Sequence, residues 1–299
     1  MNEQAVVFSC SHGNQDEDGL AADQLIGIIH QPQTPITTGV IIIVAGGPQF
    51  RVGAHRQFVV LGRRMAALGM PVLRFDHRGT GDSEGEYRGF LDMGDDISAA
   101  IDTLFDKFPQ LEKVVLWGEC ESASAGAFYA HTDPRVSGVF MVNPWIRTES
   151  GQAKTYLKHY YWNRLRDPEL WKKIKSGQFS ILRSLKAYVQ LLIHARKDSK
   201  DTNQKTEQED LSSLALPIRL TRSLKKFNGE LYILTSGNDY IAQEFNDFTS
   251  TSPEWKASDL NDKILFNEMK DADHTFSRPE WREALFHTTE QWIQEKNCN

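Results

Sequence analysis

Long apolar runs are missing from this chain of 299 residues. No stretch approaches the ~18 consecutive apolar residues of a membrane-spanning helix, so no membrane span is expected. Cysteine is scarce, with Cys10, Cys120 and Cys298 the whole complement. An odd number, far apart and without a C-x-x-C pair, argues against a disulfide framework and a structural zinc site. Positive charge is in short supply too: the formal net charge is -6 at pH 7, which gives no reason to expect nucleic acid as a partner. Met1-Asn2-Glu3-Gln4-Ala5 lacks the basic-then-apolar build of a leader peptide, and the expectation is a cytoplasmic protein. No internal repeat is visible, and neither a cofactor nor a metal is expected.

What is present is an alternation of apolar runs and helical patterns. Ala5 to Cys10 and Gln24 to His30 read as two strands joined by a polar turn. Gly39 to Ala45 is a continuous apolar run, the mark of a central strand, and it leads into Gly46-Gly47-Pro48-Gln49. Ala54 to Leu68 has helical spacing, with Phe58, Leu61, Met65 and Leu68 on one face. Pro71 to Phe75 is the next strand, Asp92 to Phe108 a helix, Lys113 to Trp117 a strand and Val136 to Val142 another. Between Arg147 and Lys226 the alternation stops and helical patterns take over, with an almost wholly polar stretch from Arg196 to Ser213. It then resumes with strand Glu230 to Thr235, a helix near Ala242 to Phe248, strand Lys263 to Glu268 and helix Pro279 to Gln294. That order implies an α/β fold with a mostly parallel sheet covered on both faces. The chain divides into a first core part (1–146), a helical lid insertion (147–226) and a second core part (227–299).

One short stretch organises the rest. Val114, Val115, Leu116 and Trp117 are followed by Gly118-Glu119-Cys120-Glu121-Ser122 and then by small residues, Ala123 to Ala127. A buried strand, a sharp turn and a helix able to pack closely on a sheet put Cys120 at the apex. The stretch resembles the G-x-S-x-G nucleophile elbow of the α/β-hydrolases, with cysteine for serine and Ser122 for the last glycine. A thiolate is the better nucleophile and is favoured at the positive end of a helix. Dienelactone hydrolases are a family precedent for cysteine here. The bland reading is a small buried residue on an inactive scaffold.

That resemblance implies an acid after a later strand and a histidine after the last one. Asp239 follows the strand ending at Thr235, and His274 lies on Asp271-Ala272-Asp273-His274-Thr275-Phe276, before the final helix. The implied triad is Cys120, Asp239 and His274: His274 exchanges the proton, and Asp239 fixes its tautomer. Asp239 could instead simply cap the following helix, and Asp271 and Asp273 are rival acids. Backbone N–H groups of Gly47 and Glu121 are the expected oxyanion donors.

Asp76-His77-Arg78-Gly79-Thr80-Gly81-Asp82-Ser83 looks like the D-x-R-G-x-G-x-S loop of the same superfamily and reads as structural, with Arg78 in an ion-pair network. Gln49, His55, Arg56, Asn143 and Trp145 are candidate substrate contacts. Phe50 to Phe58, Asn143 to Thr148 and the G-E-C elbow together resemble a narrower family, the first type of α/β-hydrolase associated with the exosortase A system. That resemblance implies a bacterial enzyme in exopolysaccharide-linked metabolism. Residues 148–226 carry 17 Lys and Arg against 8 Asp and Glu, while the remainder carries 17 against 32. A basic lid over a thiol site points to an anionic partner such as an acyl group on coenzyme A or a carrier protein; solvated helix faces explain the charge equally well. The expected reaction is hydrolysis of a small-molecule ester or thioester through an acyl-cysteine. The alternatives are acyl transfer to a sugar or other acceptor, and a non-catalytic binding scaffold.

Overall fold

Residues 2–11, 22–44, 50–147 and 210–297 are described by the computed structural model. Eight strands form one sheet: β1 (Asn2–Cys10), β2 (Asp23–Gln31), β3 (Thr38–Ile43), β4 (Val72–Asp76), β5 (Lys113–Glu119), β6 (Val136–Val142), β7 (Glu230–Ser236) and β8 (Ile264–Met269). Their order across the sheet is β1-β2-β4-β3-β5-β6-β7-β8. β1 and β2 pair antiparallel, as do β2 and β4. From β4 to β8 every pairing is parallel.

Alternating side chains of the central strands feed two separate cores. Ile41, Ile43, Val114 and Leu116 belong to one, and Val40, Ile42, Val115 and Trp117 to the other. This is why β3 and β5 are apolar at every position rather than at every second one. Helices α2 (Gly94–Lys107) and α3 (Glu121–Ala130) close the first core, while α1 (Gln57–Ala67) closes the second. Full burial of each Ile, Val or Leu in these cores contributes about 1.5–3 kcal/mol.

One sequence expectation needs correction. The helix read from Ala54 begins at Gln57, preceded by a short 3-10 turn over Ala54–Arg56. His55 and Arg56 have φ of 53° and 61° there, outside the right-handed helical region. The last part of the expected insertion, up to Lys226, is described. Helix α4 (Leu216–Lys226) buries Leu220 and Leu224 in the first core and packs against α3. Residues 148–209, which hold the rest of the expected lid, lie outside the described residues. Helix α5 (Tyr240–Thr251) follows β7, and α6 (Pro279–Asn297) follows β8 and joins α1 on the second core. Among the described residues no helix is long and apolar enough to cross a membrane.

The strand order reverses between β3 and β5: β4 lies on one side of β3, and β5 on the other. The carboxyl ends of parallel strands at such a switch point form the crevice where ligands bind in open α/β sheets. Cys120 stands at that end of β5.

Candidate active site

The turn from β5 into α3 is drawn tight. Cys120 has φ 62° and ψ −123°, a conformation costing a non-glycine residue on the order of 1–3 kcal/mol. Hydrogen bonds on both sides hold it there: Cys120 N donates to Val142 O at 2.8 Å, and Cys120 O accepts from Ala123 N at 3.2 Å and Trp145 N at 3.3 Å. Ser122 does more than fill a glycine's place. Its hydroxyl accepts from Glu119 N at 2.9 Å and donates to Glu119 O at 2.8 Å, tying the helix back to the end of the strand. Gly118 is required by contact, since a Cβ there would lie 2.6 Å from the backbone of Ser122.

His274 meets Asp239, not Asp273. Its Nδ1 lies 2.7 Å from Asp239 Oδ2. The Asp239 carboxylate also accepts from Ile241 N at 3.0 Å and Ala242 N at 3.3 Å, capping α5. Triad acid and helix cap are therefore compatible readings of one side chain. Asp273 turns the other way, accepting from the backbone N–H and hydroxyl of Ser277. The two loops are stitched together by Gly237 N to Met269 O at 2.9 Å and Asn238 N to Ala272 O at 3.0 Å.

Three effects set the charge of His274. Burial works against its imidazolium, but hydrogen bonds to Asp239 and Cys120, with the charges of both, outweigh it and push the pKa up to about 11. Burial pushes the Glu119 carboxyl up to about 7, against the pull of His274 and Gln57, and burial raises Glu121 as well.

The remaining site residues fall into distinct places. Glu121 N begins α3, where the first amides of a helix have no intrahelical acceptor, so it is available to an oxyanion. Gly47 and Gln49 lie outside the described residues. His55 and Arg56 are exposed at the start of α1, and His55 is near enough to help stabilise the Asp273 carboxylate. Trp145 is half-buried, with the Arg147 guanidinium 5.4 Å from its ring centroid.

Asn143, a candidate substrate contact in the sequence, has a structural place of its own. It is fully buried with φ 48°. Its amide donates to Ser236 Oγ at 3.0 Å and His274 O at 3.2 Å, and its carbonyl accepts from Ser236 N at 2.7 Å. It is a staple joining the ends of β6 and β7 to the His274 loop.

Sequence reasoning missed two further arrangements. Gln57 Nε2 donates to Glu119 directly behind the elbow, a contact between positions 62 apart with no sequence signal. Arg51, just past the loop after β3, donates its backbone N–H to Asp76 Oδ1 at 2.6 Å, pairs with Asp76 and Asp82 through its guanidinium, and accepts from Arg74 at 2.8 Å. That clamp fixes the chain where it leaves the expected oxyanion loop. Arg78 pairs with Asp96 at 2.9 Å, in keeping with a structural role for its loop. A cavity of about 730 Å³ lies between α2, α3 and α4; Phe90, Tyr129 and Arg219 line it, and none of Cys120, Asp239 and His274 does.

Comparison with known proteins adds family and fold. The structure is similar to an esterase of Pyrococcus furiosus, with TM-score 0.62, 14% identity, 99% of this chain covered and 91% of that one. It is similar to the esterase domain of a Rhodothermus marinus protein, with TM-score 0.56, 14% identity and 99% of both chains covered. An alpha-beta serine hydrolase homologue from Coxiella burnetii aligns with TM-score 0.57, 16% identity, 96% of this chain covered and 98% of that one. At such identities the likeness is one of fold. No curated protein matches the sequence. The family described as serine aminopeptidase, S33, matches residues 38–243, a span that includes Cys120 and Asp239. The chain therefore belongs to this family of α/β-hydrolases.

Proposed function

We propose that the protein hydrolyses a small-molecule ester or thioester through an acyl-cysteine, with Cys120 as nucleophile, His274 as proton carrier and Asp239 as its orienting acid. The observation that carries this reading is the His274–Asp239 hydrogen bond of 2.7 Å beside a cysteine held in elbow conformation. A protonated His274 stabilises negative sulfur by its charge.

The steps follow from those placements. The Cys120 sulfur attacks the carbonyl carbon, an S–C bond forms, and the carbonyl electrons move to oxygen, where the Glu121 amide donates. The intermediate collapses, the bond to the leaving group breaks, and His274 gives that group its proton. Acylation leaves the sulfur neutral and removes one of the two supports for the imidazolium, so His274 becomes a better base. It then takes a proton from water, the oxygen attacks the acyl carbon, and collapse returns the thiolate and releases the acid.

The further details remain part of this proposal. Gly47 supplies the second oxyanion donor. The Arg51 clamp fixes the chain just after the expected oxyanion loop. A carrier such as coenzyme A rests on the positive charge of the insertion, and the bacterial exosortase-linked, cytoplasmic setting rests on the three short stretches that resemble that family. The test is turnover of a panel of p-nitrophenyl esters and acyl thioesters by the wild type and Cys120→Ala. Turnover that disappears in the variant supports the reading, whereas equal turnover in both overturns it.

A further inference from the structure

Glu119 and Gln57 form a buried pair whose hydrogens do not balance. Each side chain is 1% exposed. Gln57 Nε2 donates to Glu119 Oε2. The other oxygen of each side chain, Gln57 Oε1 and Glu119 Oε1, is buried without a hydrogen-bond partner among the described residues. An ionised carboxylate and an amide oxygen both only accept, so the two orphans cannot satisfy each other. A carboxylic acid has an O–H to give, so a protonated Glu119 can serve an amide oxygen where an ionised one cannot.

The surroundings favour that proton. Among the described residues, the charged groups that act on Glu119 are His274, which attracts a carboxylate, and Asp239 and Asp273, which repel one. From α1 comes the neutral Gln57; β6 brings Val142 and β3 brings Ile43, both apolar, into register beside the end of β5. No Lys or Arg of the described residues pairs with the Glu119 carboxyl. Buried charges without such a partner are the ones that neutralise.

We propose that Glu119 is a positioning residue held as a neutral carboxylic acid, its Oε1–H donated to Gln57 Oε1 to close a two-point pair, and that loss of this one proton turns the site down. It acts through Cys120 and His274, and its link to turnover rests on the proposed acyl-cysteine chemistry. Ionised, it would stand one residue from the sulfur in a low-dielectric interior, opposing negative charge on the sulfur and on a developing oxyanion. It would also hold His274 as imidazolium when a base is needed. Burial that pushes the carboxyl up to about 7 puts the change in the neutral range.

Two measurements need no substrate and therefore stand apart from the hydrolase reading. In infrared difference spectra, the wild type should show a buried carboxylic-acid C=O band on the acid side of about 7 that fades on the alkaline side. The band should be absent in Glu119→Gln and retained in Glu121→Gln. Glu119→Gln replaces the O–H by an N–H and closes the same pair without a titrating proton. The rate of Cys120 alkylation by iodoacetamide in that variant should match the wild type within about threefold on the acid side, and exceed it about tenfold on the alkaline side. A wild type without the band overturns the proposal even if the variant fails to fold. Alkylation profiles that stay parallel across the whole range overturn the switch.

Discussion

Asp239 accepts from His274 Nδ1 at 2.7 Å while the same carboxylate caps α5 through the amides of Ile241 and Ala242. One side chain thus couples the imidazole to the start of a helix. Asparagine caps helices about as well as aspartate but carries no charge and presents an amide to the ring. Asp239→Asn should therefore keep the cap, lose only the stability that the Asp239–His274 ion pair supplies, and lower kcat by roughly 10³–10⁴-fold. Asp239→Ala should add a loss of about 1 kcal/mol in stability. Thermal melts beside steady-state kinetics separate the two roles; a kcat within threefold of wild type in Asp239→Asn would remove Asp239 from the proposed triad.

His274 makes a prediction about pH with a definite sign. Its folded pKa is raised from an ordinary 6.5 to about 11, so the folded state binds this proton more tightly than the unfolded chain does. The stability gained is fully present below about 6.5 and is lost as pH rises through about 11. Urea midpoints should accordingly decline over that window in the wild type, and less steeply in Cys120→Ala, which removes one partner of the imidazolium. Identical slopes in both proteins would show that the sulfur does not contribute.

Asn143 binds three parts of the site together, so its loss should be felt at a distance from any substrate. Asn143→Ala leaves the Ser236 amide and hydroxyl short of a partner and frees the His274 carbonyl. Destabilisation of about 1–3 kcal/mol is expected, with a drop in kcat and little change in KM because the His274 loop loosens. Denaturant melts and kinetics together check it, and a variant of unchanged stability would contradict the staple role.

Much of this architecture is legible in the sequence because it depends on local patterns. The apolar runs at β3 and β5 read as strands buried on both faces, and the order Cys120, Asp239, His274 survives any detail of packing. The packing of the insertion's last helix is not legible. Helical periodicity at Leu216 to Lys226 says that one face is buried but not against what, and Leu220 and Leu224 turn out to join the first core on a helix packed against α3. The left-handed backbone at His55, Arg56 and Asn143 is invisible for the same reason: none is glycine, and tertiary contacts impose the conformation. The Glu119–Gln57 pair joins positions far apart in sequence, and only burial reveals that the glutamate beside the cysteine is a candidate neutral acid.

The central claim is that Cys120 carries an acyl group during turnover, and intact-mass analysis of rapidly quenched reactions tests it most directly. Cys10 is fully buried and burial, with the nearby Asp96 charge, pushes its thiol up to about 12, so it should not compete. With an activated ester such as p-nitrophenyl acetate, a single acetyl adduct should form at the rate of the p-nitrophenol burst, map to the peptide containing Cys120 and be absent from Cys120→Ala. Steady release of p-nitrophenol with no adduct on Cys120 at any quench time, or an adduct that persists in Cys120→Ala, would contradict the account.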